Sequence, residues 1–151
     1  MQFKKYLETP NPRLVIAEAK SILYHTTYKR NLAKIKREGI TPQKKPAQTG
    51  MFGKDVRDDP KAIYAFNDKI EAYLWAFKLN WNLDKKNEVV VIEFKNTGKW
   101  EKDTHFEAQL ARTKGSWIRS RTVVKPKDIK KIIPQDEIFE TIKEMNLAGK
   151  L

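Results

Sequence analysis

The run Val89-Val90-Val91-Ile92 constrains this chain more than any other feature. Four consecutive apolar, mostly β-branched residues leave no polar side on a strand, so a strand over 88–94 is expected to be covered on both faces and to lie mid-sheet.

Residues 21–25 (Ser-Ile-Leu-Tyr-His) are β-prone and lead into Thr26-Thr27, a good helix-capping pair. Across 28–38 the apolar residues Tyr28, Leu32 and Ile35 recur at helical spacing. Lys29, Arg30, Lys34, Lys36 and Arg37 take the other faces and Gly39 supplies a stop, which predicts an amphipathic helix with a basic exterior. Residues 40–61 hold three prolines, Gly50 and Gly53 with little periodicity, the pattern of a long loop of the kind that is usually functional or mobile. A second strand is expected at 62–66, followed by a helix capped by Asn67 or Asp68 with Ile70, Tyr73, Leu74 and Phe77 on its apolar face. Two further strands, 117–124 and 128–133, are separated by Lys125-Pro126-Lys127, where the proline breaks any ladder. Pro134 and Asp136 then open a last helix with Ile138, Ile142 and Met145 on one side. The expected fold is α+β: an N-terminal extension or helix over 1–20, then one compact domain over 21–151.

Charge speaks to partners. The chain carries 31 Lys and Arg against 19 Asp and Glu, a formal net charge of +12, which draws in phosphate-rich partners through a salt-dependent field. The excess is dispersed, with local runs at Lys44-Lys45, Lys85-Lys86 and 125–131, so a basic folded surface is expected rather than a basic tail. Arg30, Lys34, Arg37, Lys44 and Lys45 are candidate contacts to nucleic acid or another acidic macromolecule; the competing explanation is solubility. With no cysteine in the chain, thiolate chemistry and disulfides are excluded and nothing points to an oxidising compartment. No apolar signal core follows Met1-Gln2-Phe3-Lys4-Lys5 and no run is long enough for a membrane span, so a cytoplasmic address without a membrane partner is expected. The two histidines, His25 and His105, lie in no metal-ligand pattern, and no metal is expected.

The succession Leu23-Tyr24-His25-Thr26-Thr27, Asn31-Leu32, Ile35, Gly39-Ile40 and Pro42 resembles the opening motif of ADP-ribosyltransferase-like domains: a strand ending in His, a Thr or Ser, a helix and a glycine turn. Ile63-Tyr64-Ala65-Phe66-Asn67-Asp68 with Ala72 is similar to that superfamily's aromatic second strand and following helix. The Val-rich strand and the segment Thr122-Val123-Val124-Lys125-Pro126-Lys127-Asp128-Ile129 are similar to its third and last elements. The resemblance spans roughly residues 23–133 and rests on the order of the motifs, each of which is short. It implies a mixed, mostly antiparallel split sheet flanked by helices, and an enzyme that uses NAD as substrate to modify a macromolecular acceptor. On the same basis His25 would hydrogen-bond ribose hydroxyls, Thr26 and Thr27 would approach the nicotinamide, and Tyr64, with Phe66 nearby, would offer the ring a stacking wall.

The resemblance departs at one place. Members that transfer ADP-ribose present a glutamate on the strand before the proline corner, where this chain reads Trp117-Ile118-Arg119-Ser120-Arg121-Thr122. Glu101, Asp103 and Glu107 precede that strand, with Gln109 as a polar substitute; Glu107 is the candidate catalytic carboxylate. Arg119 and Arg121 alternate on the strand, so both are expected on one face, placed to hold a pyrophosphate or a nucleic-acid phosphate. Gly50-Met51-Phe52-Gly53 could close over a nucleotide but is not a P-loop. The plainer alternatives are a satisfied histidine at His25, a core aromatic at Tyr64, and core or groove lining at Tyr73, Trp75 and Trp81. At the level of function, the alternative to the enzyme is a non-catalytic nucleic-acid or nucleotide-binding module on the same scaffold.

Overall fold

The computed structural model describes residues 21–42, 62–83, 87–103 and 111–151. Within them the elements run β1 (Ile22–Tyr28), α1 (Leu32–Glu38), β2 (Ile63–Phe66), α2 (Lys69–Lys78), β3 (Val89–Lys95), β4 (Glu101–Lys102), β5 (Trp117–Ser120), β6 (Ile129–Pro134) and α3 (Gln135–Leu147). The strands form one open six-stranded sheet in the order β4-β5-β2-β1-β3-β6. Every pairing between neighbours is antiparallel, so the expected mixed sheet is wholly antiparallel among the described residues.

The Val-rich strand is covered on both sides, as its composition requires. Val89 and Val91 face a core built with Tyr73, Trp75 and Ala76 of α2 and Ile138 of α3. Ile92 and Phe94 face the other core, where Ile35 of α1 packs with Leu23, Ile118 and Trp100. The sheet therefore has an α2–α3 face and an α1 face. Among the described residues, no helix is long and apolar enough to cross a membrane.

Several boundaries differ from expectation, each for a physical reason. Thr26-Thr27 cap no helix: β1 continues through them to Tyr28, because β3 offers backbone partners as far as Tyr28↔Val89. A 3-10 turn at Lys29–Asn31 follows, and α1 begins only at Leu32. Asp68 does cap α2, its carboxylate accepting from Ile70 N at 2.8 Å and Glu71 N at 3.3 Å. The buried side of α2 is Glu71, Ala72, Tyr73, Trp75 and Ala76, while Phe77, expected inside, is 40% exposed. By helical phase Trp75 shares the buried side with Ala72, Ala76 and Leu79, and Phe77 falls outside it. Strand β5 ends at Ser120; Val124 forms an isolated bridge with Ile40, and Pro126 opens a 3-10 turn instead of joining two strands directly. Pro134 closes β6, and α3 starts one residue later.

Gly39, after α1, has φ +83°, and a Cβ there would lie 2.1 Å from the Val124 carbonyl oxygen. Gly39→Ala is expected to cost about 2–3 kcal/mol in urea denaturation, since both the backbone and the Ile40–Val124 bridge must yield. A second outcome concerns pH. Burial, then the charge of Glu137, raises the Tyr73 hydroxyl from 10.0 to about 12. Because the unfolded chain ionises first, the stability this group contributes is intact below pH 10.0 and is lost as pH rises to about 12. Alkaline melts should show a shallower decline in that window for Tyr73→Phe than for the unsubstituted protein.

Candidate functional site at the parting of β1 and β2

Strand β1 pairs with β3 along its whole length but with β2 only at Tyr24↔Phe66. Strand β2 pairs fully on its other side with β5, from Ile63↔Ser120 to Phe66↔Trp117. The sheet thus parts between β1 and β2 just where the two most informative residues of the sequence lie. There the His25 Nδ1 meets the Tyr64 carbonyl oxygen at 2.7 Å. A carbonyl only accepts, so Nδ1 carries the proton, and in the neutral ring Nε2 is the acceptor. The side chain takes the place of a missing ladder bond and is itself held in one tautomer.

Alternation along the strands decides what shares a face. His25 alternates with Tyr24 and Thr26 and so projects with Leu23 to the α1 face, whereas Tyr64 projects with Phe66 to the α2–α3 face. The two therefore meet at the parting through ring and carbonyl, not ring to ring. On its own face Tyr64 sits opposite Arg119, and Arg119 opposite Glu101, forming a row across β2, β5 and β4. Arg119 Nε donates to Glu101 Oε1 at 2.8 Å, with the arginine side chain 18% exposed and the glutamate 44%. Burial alone would lower the guanidinium pKa, but the hydrogen bond and charge of Glu101, aided by the Tyr64 hydroxyl, hold it above its usual value.

The strand alternation expected to set Arg119 and Arg121 on one face ends before Arg121. Arg121 lies one residue past the end of β5 in an exposed bend, outside the strand alternation, and the Arg119 Nε is engaged by Glu101. Thr26 and Thr27 are buried: the Thr26 hydroxyl donates to the Ala72 carbonyl of α2 at 2.9 Å, and the Thr27 hydroxyl accepts from Asn31 Nδ2 at 2.9 Å. Phe66 is also interior, edge-on to Trp117 at 5.4 Å between ring centroids. Tyr73 and Trp75 belong to the core, but Trp81 is 59% exposed and stacked on Phe77. Arg30, Lys34 and Arg37 are exposed, with Arg30 over the Tyr28 ring at 4.6 Å. Glu107, Lys44, Lys45, His105, Gln109 and the Gly50 to Gly53 segment lie outside the described residues. Among the described residues no three His, Asp or Glu side chains gather where they could hold a metal ion.

No protein-family model matches this chain, and no curated protein matches its sequence. The functional reading of the site therefore rests on its own geometry and on the motif order.

One organising residue, Glu71, escapes the sequence pattern. It lies three positions after the Asp68 cap, as in a capping box, where a glutamate would reach back to the cap backbone. Instead it turns inward and is buried, its Oε1 accepting from Thr113 N at 2.9 Å and its Oε2 from Trp117 Nε1 at 3.2 Å. Its place in the first turn of α2 adds the favourable end of the helix dipole. Glu71 so ties α2 to β5, the strand that bears Arg119. Glu71→Gln replaces one acceptor by a donor facing another N–H, and should cost about 1–3 kcal/mol in denaturation followed by tryptophan fluorescence. An unchanged midpoint would show that the two hydrogen bonds contribute nothing.

Proposed function

We propose that this protein is an ADP-ribosyltransferase-like enzyme that cleaves NAD and transfers ADP-ribose to a macromolecular acceptor, with its site at the parting of β1 and β2. The observation that carries the proposal is the His25–Tyr64 contact: the histidine of the opening motif and the aromatic of the second motif, 39 residues apart, meet where the sheet opens. The dinucleotide would lie along that opening, since His25 and Tyr64 project to opposite faces. His25 Nε2 would accept from a ribose hydroxyl, its orientation set by the Tyr64 carbonyl. The Tyr64 ring would supply a flat wall for the planar nicotinamide cation.

In the reaction the ribose C1′–N bond breaks with its electron pair going to nicotinamide. The acceptor nucleophile then bonds to C1′ and gives up its proton. Positive charge develops on the ribose between these events, and a fixed carboxylate stabilises it. Glu101 is the described carboxylate best suited to that role. Arg119 holds its Oε1, it is partly exposed, and it stands in line with Tyr64. Glu107, the carboxylate expected from the sequence, lies outside the described residues.

A second reading, a non-catalytic nucleotide or nucleic-acid-binding module, is favoured by one observation. Strand β5 carries no carboxylate, and Glu101 is already partnered with Arg119. Labelled NAD incubated with RNA, DNA or cell protein distinguishes the two. Nicotinamide release and label transfer are expected, reduced about 100-fold or more in His25→Ala and Glu101→Gln, with melting temperatures within a few degrees of the unsubstituted protein. Neither turnover nor NAD binding would leave the second reading in place.

A further inference from the structure

We infer that the exterior of α1 and the Lys125-Pro126-Lys127 corner form one docking surface for the phosphate backbone of a single-stranded nucleic acid. This deepens the enzyme reading by naming an acceptor class, and rests on that reading only in calling the bound polymer the acceptor.

The two segments are joined by the backbone. Gly39 N donates to Ile35 O at 2.7 Å to close α1, and Ile40 and Val124 then exchange hydrogen bonds of 2.9 and 3.0 Å. The Pro126 ring comes within 3.1 Å of where a Gly39 Cβ would stand. The last turn of α1 therefore abuts the corner. Leu32 and Ile35 pack inward, which leaves Lys34, Lys36 and Arg37 exposed on the helix and Lys125 and Lys127 exposed beside it.

The local acids do not neutralise this group. Glu38 pairs with Arg37 at 3.6 Å, and Asp128 is buried, accepting from the Thr97 hydroxyl at 3.3 Å. Among the described residues Lys34, Lys36, Lys125 and Lys127 have no acidic partner, in contrast to Lys29 with Glu88, Arg119 with Glu101 and Lys131 with Glu137. Helix stability does not account for the pattern. Lys36 and Arg37 suit the last turn of α1, but Lys34 stands in a first turn that holds no acid, where a cation opposes the dipole. Lys125 and Lys127 belong to another segment altogether.

The chemistry favours a polyanion over a lipid surface. Neither segment presents an exposed aromatic or large aliphatic wedge; the exposed large hydrophobic next to them in the chain is Val123. The cations are spread over two elements instead of converging on a pocket, which suits an extended backbone with several phosphates. The surface also lies on the α1 face, the one to which His25 projects. A strand bound there runs over the side of the sheet that carries the motif histidine.

Fluorescence anisotropy with a labelled single-stranded RNA of about 20 nucleotides, titrated over a range of salt, tests the surface. The variant Lys34→Gln/Lys36→Gln/Lys125→Gln/Lys127→Gln is compared with Lys99→Gln/Lys102→Gln/Lys130→Gln/Lys143→Gln, which loses the same charge from other exposed positions. The first should bind about 10-fold or more weakly, its salt slope falling by about 0.7 for each phosphate no longer neutralised, while the second stays within about 2-fold. Equal losses in both variants would overturn the proposal in favour of a diffuse field. So would no binding by the unsubstituted protein, or binding to phosphatidylserine vesicles in preference to RNA. Thermal melts of both variants confirm folding. NAD binding and nicotinamide release, measured with and without acceptor, separate the two ideas. If NAD binding is absent, and nicotinamide release is absent both without RNA and with RNA, DNA or cell protein added, while patch-dependent RNA binding persists, the docking surface stands and the enzyme reading falls.

Discussion

The ladder between β1 and β3 is the interaction on which the rest of this structure depends. It runs unbroken from Ile22↔Lys95 to Tyr28↔Val89. Because β3 is apolar on both sides, the pair forms a two-faced wall whose backbone groups are satisfied within the sheet. Helix α1 closes one face, while α2 and α3 close the other. The same ladder draws Thr26 and Thr27 into the strand, where one hydroxyl reaches α2 and the other steadies the turn leading to α1.

Full commitment of β1 to β3 has a cost on its other edge. Strand β2 is held in register by β5 and pairs with β1 in the ladder at a single residue pair, so polar backbone on the opening side must find other partners. His25 meets that need at the Tyr64 carbonyl. A side chain that satisfies a structural requirement through one ring nitrogen has its second nitrogen aimed by the same hydrogen bond, and that is how a fold can position a chemical group without a dedicated support. Structural and functional accounts of His25 are therefore compatible.

Two electrostatic regimes coexist in the molecule. On the α2–α3 face charges are partly buried and matched: Arg119 to Glu101, and the Glu71 carboxylate to two N–H donors. Burial there makes an unmatched group expensive. On the α1 face the cations are exposed, water screens them, and no partner is required for stability. The excess positive charge is accordingly carried at the surface, where it acts on partners rather than on the fold.

The α+β class, the buried Val-rich strand, a helix cap at Asn67 or Asp68 and the ladder break at Pro126 were all legible in the sequence, because each rests on local chemistry: periodicity, capping and the missing proline N–H. The extent of β1, the short β5 and the inward turn of Trp75 were not, since each depends on which neighbour supplies a backbone or packing partner. The same division holds at the site. His25 and Tyr64 stand out by residue type and motif order, whereas Arg119 gains its partner only because β4 sets Glu101 opposite it, 18 residues away in the chain. Glu71 looks like a capping residue until Trp117 and Thr113 are brought over it. The sequence by itself determined which chemical groups are available and where the principal strands and helices lie, though not all their limits. Tertiary structure decided which of those groups meet, because strand register and helix docking are properties of pairs of segments that no single segment encodes.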